Sequence, residues 1–168
     1  MKYGRTLVCL ALLLTSAAAQ PAMPPPLPPE SCQFDFWIGE WNVTTPDGQP
    51  AGANRIEPIA GHAGLLENWT GAKGFSGQSL NASNPARKQW QQFWVGSDGG
   101  VLELSGGLVD GGMVLTGAHD VRGRHLQEKI TWTPNADGTV RQHWEQSKDD
   151  GKTWTTAFDG LYRRKPQP

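Results

Sequence analysis

Hydrophobic and polar residues alternate in short runs along most of this chain, and turn residues separate the runs at intervals of about ten positions. From Trp41 onward, no stretch of about 11 residues or more has the period of an amphipathic helix. Clusters of Pro, Asn, Asp and Gly, such as Pro46-Asp47-Gly48 and Asp149-Asp150-Gly151, mark the turns. This pattern predicts an all-β fold with about ten strands. The predicted strands are residues 40–45, 51–59, 65–71, 76–82, 88–96, 101–106, 112–119, 125–133, 139–147 and 152–163.

The connections between these predicted strands are short, which favours an antiparallel up-and-down meander. An open sheet of this size would expose two long edges, so we expect a single closed β-barrel of about eight to ten strands. A barrel of that size has room for a small ligand. The aromatic stretch at residues 34–41 would close one end, with one or two helical turns within residues 34–38.

Residues 1–19 have the features of a signal peptide. Lys2 and Arg5 precede an apolar run at residues 7–14, and small residues lead to a cleavage site before Gln20. The apolar run is shorter than the roughly 18 residues needed to cross a bilayer, and no later apolar stretch approaches that length. We therefore expect a periplasmic or secreted protein without membrane insertion.

Proline-rich residues 20–31 predict an extended linker, followed by one barrel domain at residues 32–165. Removal of the signal peptide also removes Cys9, which leaves Cys32 without a partner for an intrachain disulfide. Because free cysteines are usually inside proteins, we expect Cys32 to be buried against the aromatic stretch.

The charge of the chain excludes some partners. The 15 basic residues include Lys2 and Arg5, so 13 basic residues oppose 16 acidic ones after cleavage, a formal charge of −3. The sequence has no basic stripe, so we expect neither nucleic acid nor an anionic membrane as a partner. The expected partner is a small molecule, and the protein is expected to be a monomer or a homodimer.

Two segments at the ends of the predicted barrel resemble the calycin pattern of lipocalins. These are Gly39-Glu40-Trp41 on the first strand and Tyr162-Arg163-Arg164 on the last. In that pattern an arginine of the last strand lies over the tryptophan, and cation–π attraction joins the two ends of the sheet. The chain also resembles a family of exported bacterial proteins of largely unknown function that begin with Phe-Asp-Phe-Trp-x-Gly-Glu-Trp, here residues 34–41. Nitrobindin-like haem barrels are more distantly similar. The resemblance implies a barrel and no particular activity.

Residues 147–154 match the Asp-box pattern S-x-D-x-G-x-T-W of sialidases and other propellers. In this turn the Ser and Asp side chains bond to backbone amides while the tryptophan packs beneath them. A single copy predicts a hairpin turn, not a propeller or a glycosidase.

Tryptophans alternate with polar residues on single strand faces. Trp90, Gln92 and Trp94 share one face of their strand, and Gln142 shares a face with Trp144. Aromatic walls with a few polar groups are typical of small-molecule pockets. We therefore predict an exported protein that binds a hydrophobic or amphipathic small molecule. The predicted ligand-binding residues are Arg55, Glu67, Trp69, Gln92, Trp94, Gln142 and Trp144, with Arg55 as the partner of an anionic group.

Three other functions stay open. Glu67, His143 or Glu145 could act as the acid or base of a barrel enzyme, of the isomerase, cyclase or hydratase type, if burial beside tryptophans raises a glutamate pKa. His119 and His125 could meet across their shared turn and bind a metal or haem, although no zinc-ligand spacing is present and we expect no metal or cofactor. Solvent-facing tryptophans could instead form the sugar-stacking platform of a carbohydrate-binding module.

His143 and Glu145 lie on the strand face opposite Gln142 and Trp144, so at most one of these two sets points into the barrel. If the tryptophan set is inward, His143 and Glu145 face solvent. Nucleophilic catalysis has little support, because the chain has no G-x-S-x-G motif and Cys32 has no histidine near it in sequence.

Overall fold

The structure, a computed structural model, describes residues 26–121 and 123–166 of the 168-residue chain. The predicted signal peptide, residues 1–19, and the beginning of the predicted linker, residues 20–25, lie outside the described residues. Within the described part, no helix has the length and apolar character needed to cross a membrane.

Ten antiparallel strands form one closed barrel in which each strand pairs with its neighbours in sequence, and the last strand returns to pair with the first. This confirms the predicted all-β up-and-down barrel, and each strand overlaps one of the ten predicted from alternation. The strands are β1 (Gly39–Thr44), β2 (Pro50–Ile59), β3 (Gly64–Gly71), β4 (Ser76–Asn84), β5 (Gln89–Gly96), β6 (Val101–Val109), β7 (Gly112–Val121), β8 (Arg124–Pro134), β9 (Val140–Ser147) and β10 (Thr155–Arg164).

An N-terminal segment, residues 29–38, closes one end of the barrel, and we call it the plug. It contains two 3₁₀ turns, Pro29–Cys32 and Asp35–Trp37. The second is the helical turn predicted within residues 34–38. The Phe34 and Trp37 rings are fully buried and stack with centroids 4.8 Å apart. Both rings also contact Trp132 of β8, at centroid distances of 5.2 and 5.3 Å. Aromatic packing therefore fills this end of the interior.

The last residues of the predicted linker, residues 29–31, are packed on the barrel rather than extended. The Trp90 indole nitrogen donates a hydrogen bond to the Glu30 carbonyl oxygen at 3.2 Å. The expected burial of Cys32 is wrong, because Cys32 is exposed. The first 3₁₀ turn directs Ser31 inward, where it is buried, and this leaves the neighbouring Cys32 on the outside.

Trp41 and Arg164 join the first strand, the last strand and the plug. The Arg164 guanidinium carbon lies 4.4 Å from the centre of the Trp41 ring, which confirms the expected cation–π contact. Arg164 also donates a hydrogen bond to the Ile38 carbonyl oxygen at 3.0 Å, and the Trp41 indole donates to the Trp37 carbonyl oxygen at 2.9 Å. A cation–π contact of this kind stabilises by about 0.5–2 kcal/mol.

The β9–β10 connection forms the predicted Asp-box turn. The Ser147 hydroxyl accepts a hydrogen bond from the Gly151 amide at 2.8 Å, and Asp149 accepts one from the Thr153 amide at 2.8 Å. The Trp154 indole donates to the Gly151 carbonyl oxygen at 3.1 Å. These side chains satisfy the turn's own backbone, so the motif is structural here.

Substitution of Gly39 tests the junction between the plug and the barrel. Gly39 has a φ of 141°, and a Cβ atom there would overlap Arg164 Nη1. We expect Gly39→Ala to lower the free energy of unfolding by roughly 1–3 kcal/mol, measured by urea denaturation. Gly107→Ala is the control, because Gly107 has no positive φ and its Cβ would meet nothing within 4 Å. Equal destabilisation by the two variants would contradict the role given to this junction.

Candidate functional site

Above the plug, the barrel interior holds a cavity of about 640 Å³. Its mouth lies at the end opposite the plug, between the β1–β2 and β3–β4 connections, where Asp47 and Lys73 are part of the rim. Pockets for small molecules commonly have volumes of about 300–1,000 Å³. The cavity is therefore large enough for a ligand of that class.

Six of the seven predicted ligand-binding residues line this cavity. They are Glu67 and Trp69 on β3, Gln92 and Trp94 on β5, and Gln142 and Trp144 on β9. Each pair consists of residues two positions apart, which the pleat directs to the same side of the sheet. Leu102, Ile130 and Phe158 complete the apolar walls, and the Phe158 ring meets Trp69 edge to face at 5.9 Å.

Arg55 is not among the cavity-lining residues, so the structure corrects its expected role. It lies between Asn54 and Ile56, which are buried, and its own side chain points outward. There its guanidinium pairs with Glu57 at 2.6 Å, with both side chains about half exposed. Arg55 is therefore not placed to bind an anionic group in the cavity.

His143 and Glu145 also lie on the outer face of the barrel. Because Gln142 and Trp144 point inward, the alternating positions of β9 must point outward. Glu145 pairs there with Lys129 at 2.8 Å, and the His143 ring is hydrogen-bonded to the Thr156 hydroxyl at 3.0 Å. Of the three candidate acid–base residues, the structure brings Glu67 alone to the cavity.

His119 and His125 do not meet across their turn, contrary to the geometry that a shared site requires. The register of β7 and β8 places His125 opposite Asp120, and their side chains are 3.1 Å apart on the outer face. His119 directly precedes Asp120 on β7, so its side chain points to the opposite face of the sheet. There its ring lies 3.6 Å from the Glu128 carboxylate. The register therefore gives no support to a haem or metal site shared by these two histidines.

Two cavity-lining residues, Glu67 and Gln92, belong to a continuous set of buried, hydrogen-bonded residues, and we call this set the polar wall: Asn54, Glu67, Ser79, Asn81 and Gln92. The Asn54 amide donates to one Glu67 carboxylate oxygen at 2.7 Å, and the Ser79 hydroxyl donates to the other at 2.6 Å. The Asn81 amide donates to Ser79 at 2.8 Å, and the Gln92 amide donates to Asn81 at 2.9 Å. All five residues are buried. The wall therefore holds its polar groups in fixed positions.

Tyr162 extends the polar wall toward β9. Its hydroxyl donates a hydrogen bond to the side-chain amide oxygen (Oε1) of Gln142 and accepts one from the Asn54 amide at 3.4 Å. The Asn54 side-chain oxygen is buried and has no hydrogen-bond partner among the described residues.

Burial raises the pKa of Glu67 from its ordinary value of 4.5 to about 7, although the hydrogen bonds from Ser79 and Asn54 favour the ionised form. No cation pairs with this carboxyl group among the described residues. Glu67 therefore exists in both protonation states near neutral pH. A ligand group beside it can meet either a proton donor or an acceptor.

Glu128 holds Trp144 in place on the opposite side of the interior. The Trp144 indole donates to one Glu128 carboxylate oxygen at 2.5 Å, and the Gln146 amide donates to the other at 3.1 Å. Burial raises the pKa of Glu128, whereas these two hydrogen bonds lower it. The contacts fix the orientation of the ring that lines the cavity.

The tryptophans do not form an exposed platform. All eight fall within the described residues, and none of them is exposed. Trp37, Trp41, Trp90 and Trp132 belong to the buried core, whereas Trp69, Trp94 and Trp144 face the cavity. This arrangement gives no support to the alternative of a sugar-stacking surface.

Sequence reasoning missed Asn54, Ser79, Asn81 and Tyr162. The alternation of β4 does not say which set is inward, and in the structure Ser79 and Asn81 are buried while the intervening Leu80 is 51% exposed. A strand with its apolar residue outside and its polar residues inside reverses the usual pattern. Such a reversal indicates a polar interior surface.

No protein-family model matches this chain, and no curated protein matches it at a significant level.

The raised pKa of Glu67 predicts a specific pH dependence of stability. Between about pH 4.5 and pH 7 the unfolded chain releases this proton and the folded protein retains it, so stability falls as pH rises and then levels off. The shift corresponds to roughly 3 kcal/mol. We expect Glu67→Gln to remove this decrease, measured as the difference between its urea-denaturation profile and that of wild type at pH 5 and pH 8.

Glu103→Gln is the control for this prediction, because Glu103 is an exposed glutamate on β6. Its pH profile should stay close to that of wild type. Parallel profiles for wild type and Glu67→Gln would show that Glu67 does not keep its proton in the folded protein.

Proposed function

We propose that this protein binds a small amphipathic molecule inside its barrel. The supporting observation is a cavity of about 640 Å³ that has tryptophans around it and a buried, hydrogen-bonded carboxyl group on one side. We further propose that the protein is exported to the periplasm or secreted, on the basis of the signal-peptide pattern of residues 1–19.

The apolar part of the ligand lies between the rings of Trp69, Trp94 and Phe158. Each of these rings packs against a nearby glycine of the sheet. Trp69 lies against Gly52, Trp94 against Gly77, and Phe158 against Gly160. A Cβ atom at any of these glycines would overlap the ring beside it. The glycines therefore let the rings lie close to the barrel wall, so that the centre of the barrel stays open.

The polar part of the ligand contacts the polar wall and is neutral or positively charged. Lys73 is the one cation among the described cavity-lining residues, and it lies at the mouth. A carboxylate or phosphate deep in the cavity would meet the Glu67 carboxyl group without a compensating charge, which is unfavourable. A hydroxyl, amide or amine group instead matches Glu67, Gln92 and Gln142.

A binding titration with Nile red, a neutral fluorescent molecule, tests this assignment. We expect saturable binding of one Nile red per chain, and we expect Trp94→Ala and Gln92→Ala to weaken it roughly tenfold, because each removes a contact inside the cavity. The matched controls are Phe93→Ala and Gln91→Ala, which alter the adjacent outward positions of β5. Their affinities should equal that of wild type. If the outward variants weakened binding as much as the inward ones, the cavity would not be the binding site.

A second candidate function is an acid–base enzyme that acts on a molecule held in the same cavity. The observation that favours it is the pKa of Glu67, about 7, which suits a general acid or base at neutral pH. An enzyme converts the molecule that it binds, and Glu67→Gln should then stop the conversion with little change in affinity. Conversion at the wild-type rate by Glu67→Gln would exclude Glu67 as the catalytic residue.

A further inference from the structure

Cys32, Asp35 and His62 come together on the outside of the plugged end, far from the cavity mouth. The Cys32 sulfur, an Asp35 carboxylate oxygen and a His62 ring nitrogen all lie within 4.8 Å of one another. His62 Nε2 and Asp35 Oδ1 are already 2.9 Å apart. Cys32 and Asp35 belong to the plug, whereas His62 belongs to the short 3₁₀ turn Ala60–His62 between β2 and β3. The cluster therefore links two segments that are distant in sequence.

The three side chains provide the ligand types that zinc prefers: a thiolate, an imidazole and a carboxylate. Zinc–ligand bonds of roughly 2.0–2.3 Å in a tetrahedron place the ligand atoms roughly 3.3–3.8 Å apart. Movements of roughly 1 Å by side chains at the surface are enough to reach that geometry from the observed arrangement. Cys32 is exposed and His62 and Asp35 are partly exposed, so an ion can reach the cluster from solvent.

The backbone of the β2–β3 turn places His62 against the plug. Ala60, Gly61 and His62 have φ values of 51°, 64° and 77°, in the left-handed region that is uncommon for residues other than glycine. The conformation brings the His62 ring to Asp35 instead of leaving it in solvent. The histidine is therefore already in place for a ligand shared with the plug.

We propose that Cys32, Asp35 and His62 form a binding site for a divalent transition-metal ion, with Zn²⁺ the best match. Sulfur and imidazole ligands select Zn²⁺ over Mg²⁺ and Ca²⁺, which prefer sites made of oxygen ligands. Three protein ligands leave the fourth tetrahedral position to water or another small ligand. The proposal does not depend on the function of the cavity.

Metal binding at this site exchanges a proton for the ion. As the metal–sulfur bond forms, the S–H bond of Cys32 breaks and its proton goes to solvent. The hydrogen bond between His62 and Asp35 is given up, so that an unprotonated ring nitrogen of His62 and a carboxylate oxygen of Asp35 can bind the ion. Desolvation and the negative charge of Asp35 raise the pKa of Cys32, so the thiol without metal is not an activated nucleophile. A Zn²⁺ ion supplies the positive charge that favours the thiolate.

The bound ion would add a further connection between the plug and the barrel. Arg164 and Trp41 hold the end of the plug next to β1, and the metal would hold its middle to the β2–β3 turn. A ligand that binds the folded chain and not the unfolded one raises the stability of the folded state. Zn²⁺ is therefore expected to raise the melting temperature of the protein.

The test uses the protein without a polyhistidine tag, after treatment with a chelator, titrated with Co²⁺ and then with Zn²⁺. We expect one Co²⁺ per chain, a sulfur-to-cobalt charge-transfer absorption band, displacement of Co²⁺ by Zn²⁺ and release of a proton. Cys32→Ser should remove the charge-transfer band, and His62→Gln and Asp35→Asn should weaken Zn²⁺ binding by roughly tenfold or more.

His125→Gln is the matched control, because His125 also lies beside an aspartate, Asp120, at 3.1 Å and is exposed. It should bind Zn²⁺ as tightly as wild type. The absence of a sulfur-to-cobalt band would overturn the proposal, as would Zn²⁺ affinity that is unchanged in Cys32→Ser or equally reduced in His125→Gln. Nile red binding by each variant reports on the cavity separately, so failure of the metal site and failure of the proposed function can be distinguished.

Discussion

The structure depends on the closure of a ten-stranded sheet at the junction of β1, β10 and the plug. An up-and-down sheet that stayed open would expose the edges of its first and last strands. The pairing of β1 with β10 removes both edges, and Arg164 reinforces this seam because its guanidinium lies over Trp41 and bonds to the Ile38 carbonyl oxygen of the plug. The close approach requires a glycine at position 39. One cation–π contact thus connects the strand ends to the segment that closes the barrel.

Closure at one end determines how the interior is used. Phe34, Trp37 and Trp132 fill the plugged end with packed rings, so an open volume is left toward the mouth. Burial of the Glu67 carboxyl group beside this volume is unfavourable for its ionised form. The fold nevertheless keeps this carboxyl group buried, with hydrogen bonds from Asn54 and Ser79. Such an arrangement is more typical of a binding site than of a core built for stability alone.

Much of the fold could be predicted from the sequence because a strand repeats every two residues and its turns use Gly, Pro, Asn and Asp. The inward positions of β3, β5 and β9 followed from tryptophans that alternate with polar residues. The outward position of Arg55 could not be predicted in the same way, because alternation divides the residues of a strand into two sets without saying which set faces the interior. On β2 the inward set is Asn54 and Ile56, and a buried asparagine carries no sequence signal of its own.

Apart from the Trp41–Arg164 contact, which the calycin resemblance implied, the contacts between distant segments could not be predicted from the sequence. The Ser79 side chain meets Glu67 of the neighbouring strand, and Asn81 reaches Glu67 only through Ser79, so both contacts depend on the register of β3 and β4. His62 meets Asp35 through the turn that follows β2 and the folding back of the plug, and no spacing motif encodes this approach. The exposure of Cys32 could not be predicted either, since it depends on the direction of one 3₁₀ turn.

Native mass spectrometry of the protein purified from its own cells tests the central claim, that the cavity is a ligand-binding site. We expect the folded protein to carry one noncovalent small molecule that is released on denaturation. The released molecule should rebind to wild type and not to a Trp94→Ala, Gln92→Ala double variant. A folded protein with the mass of the polypeptide alone, whose cell extract yields no molecule that binds it, would contradict the account. Equal rebinding by the double variant would contradict it as well.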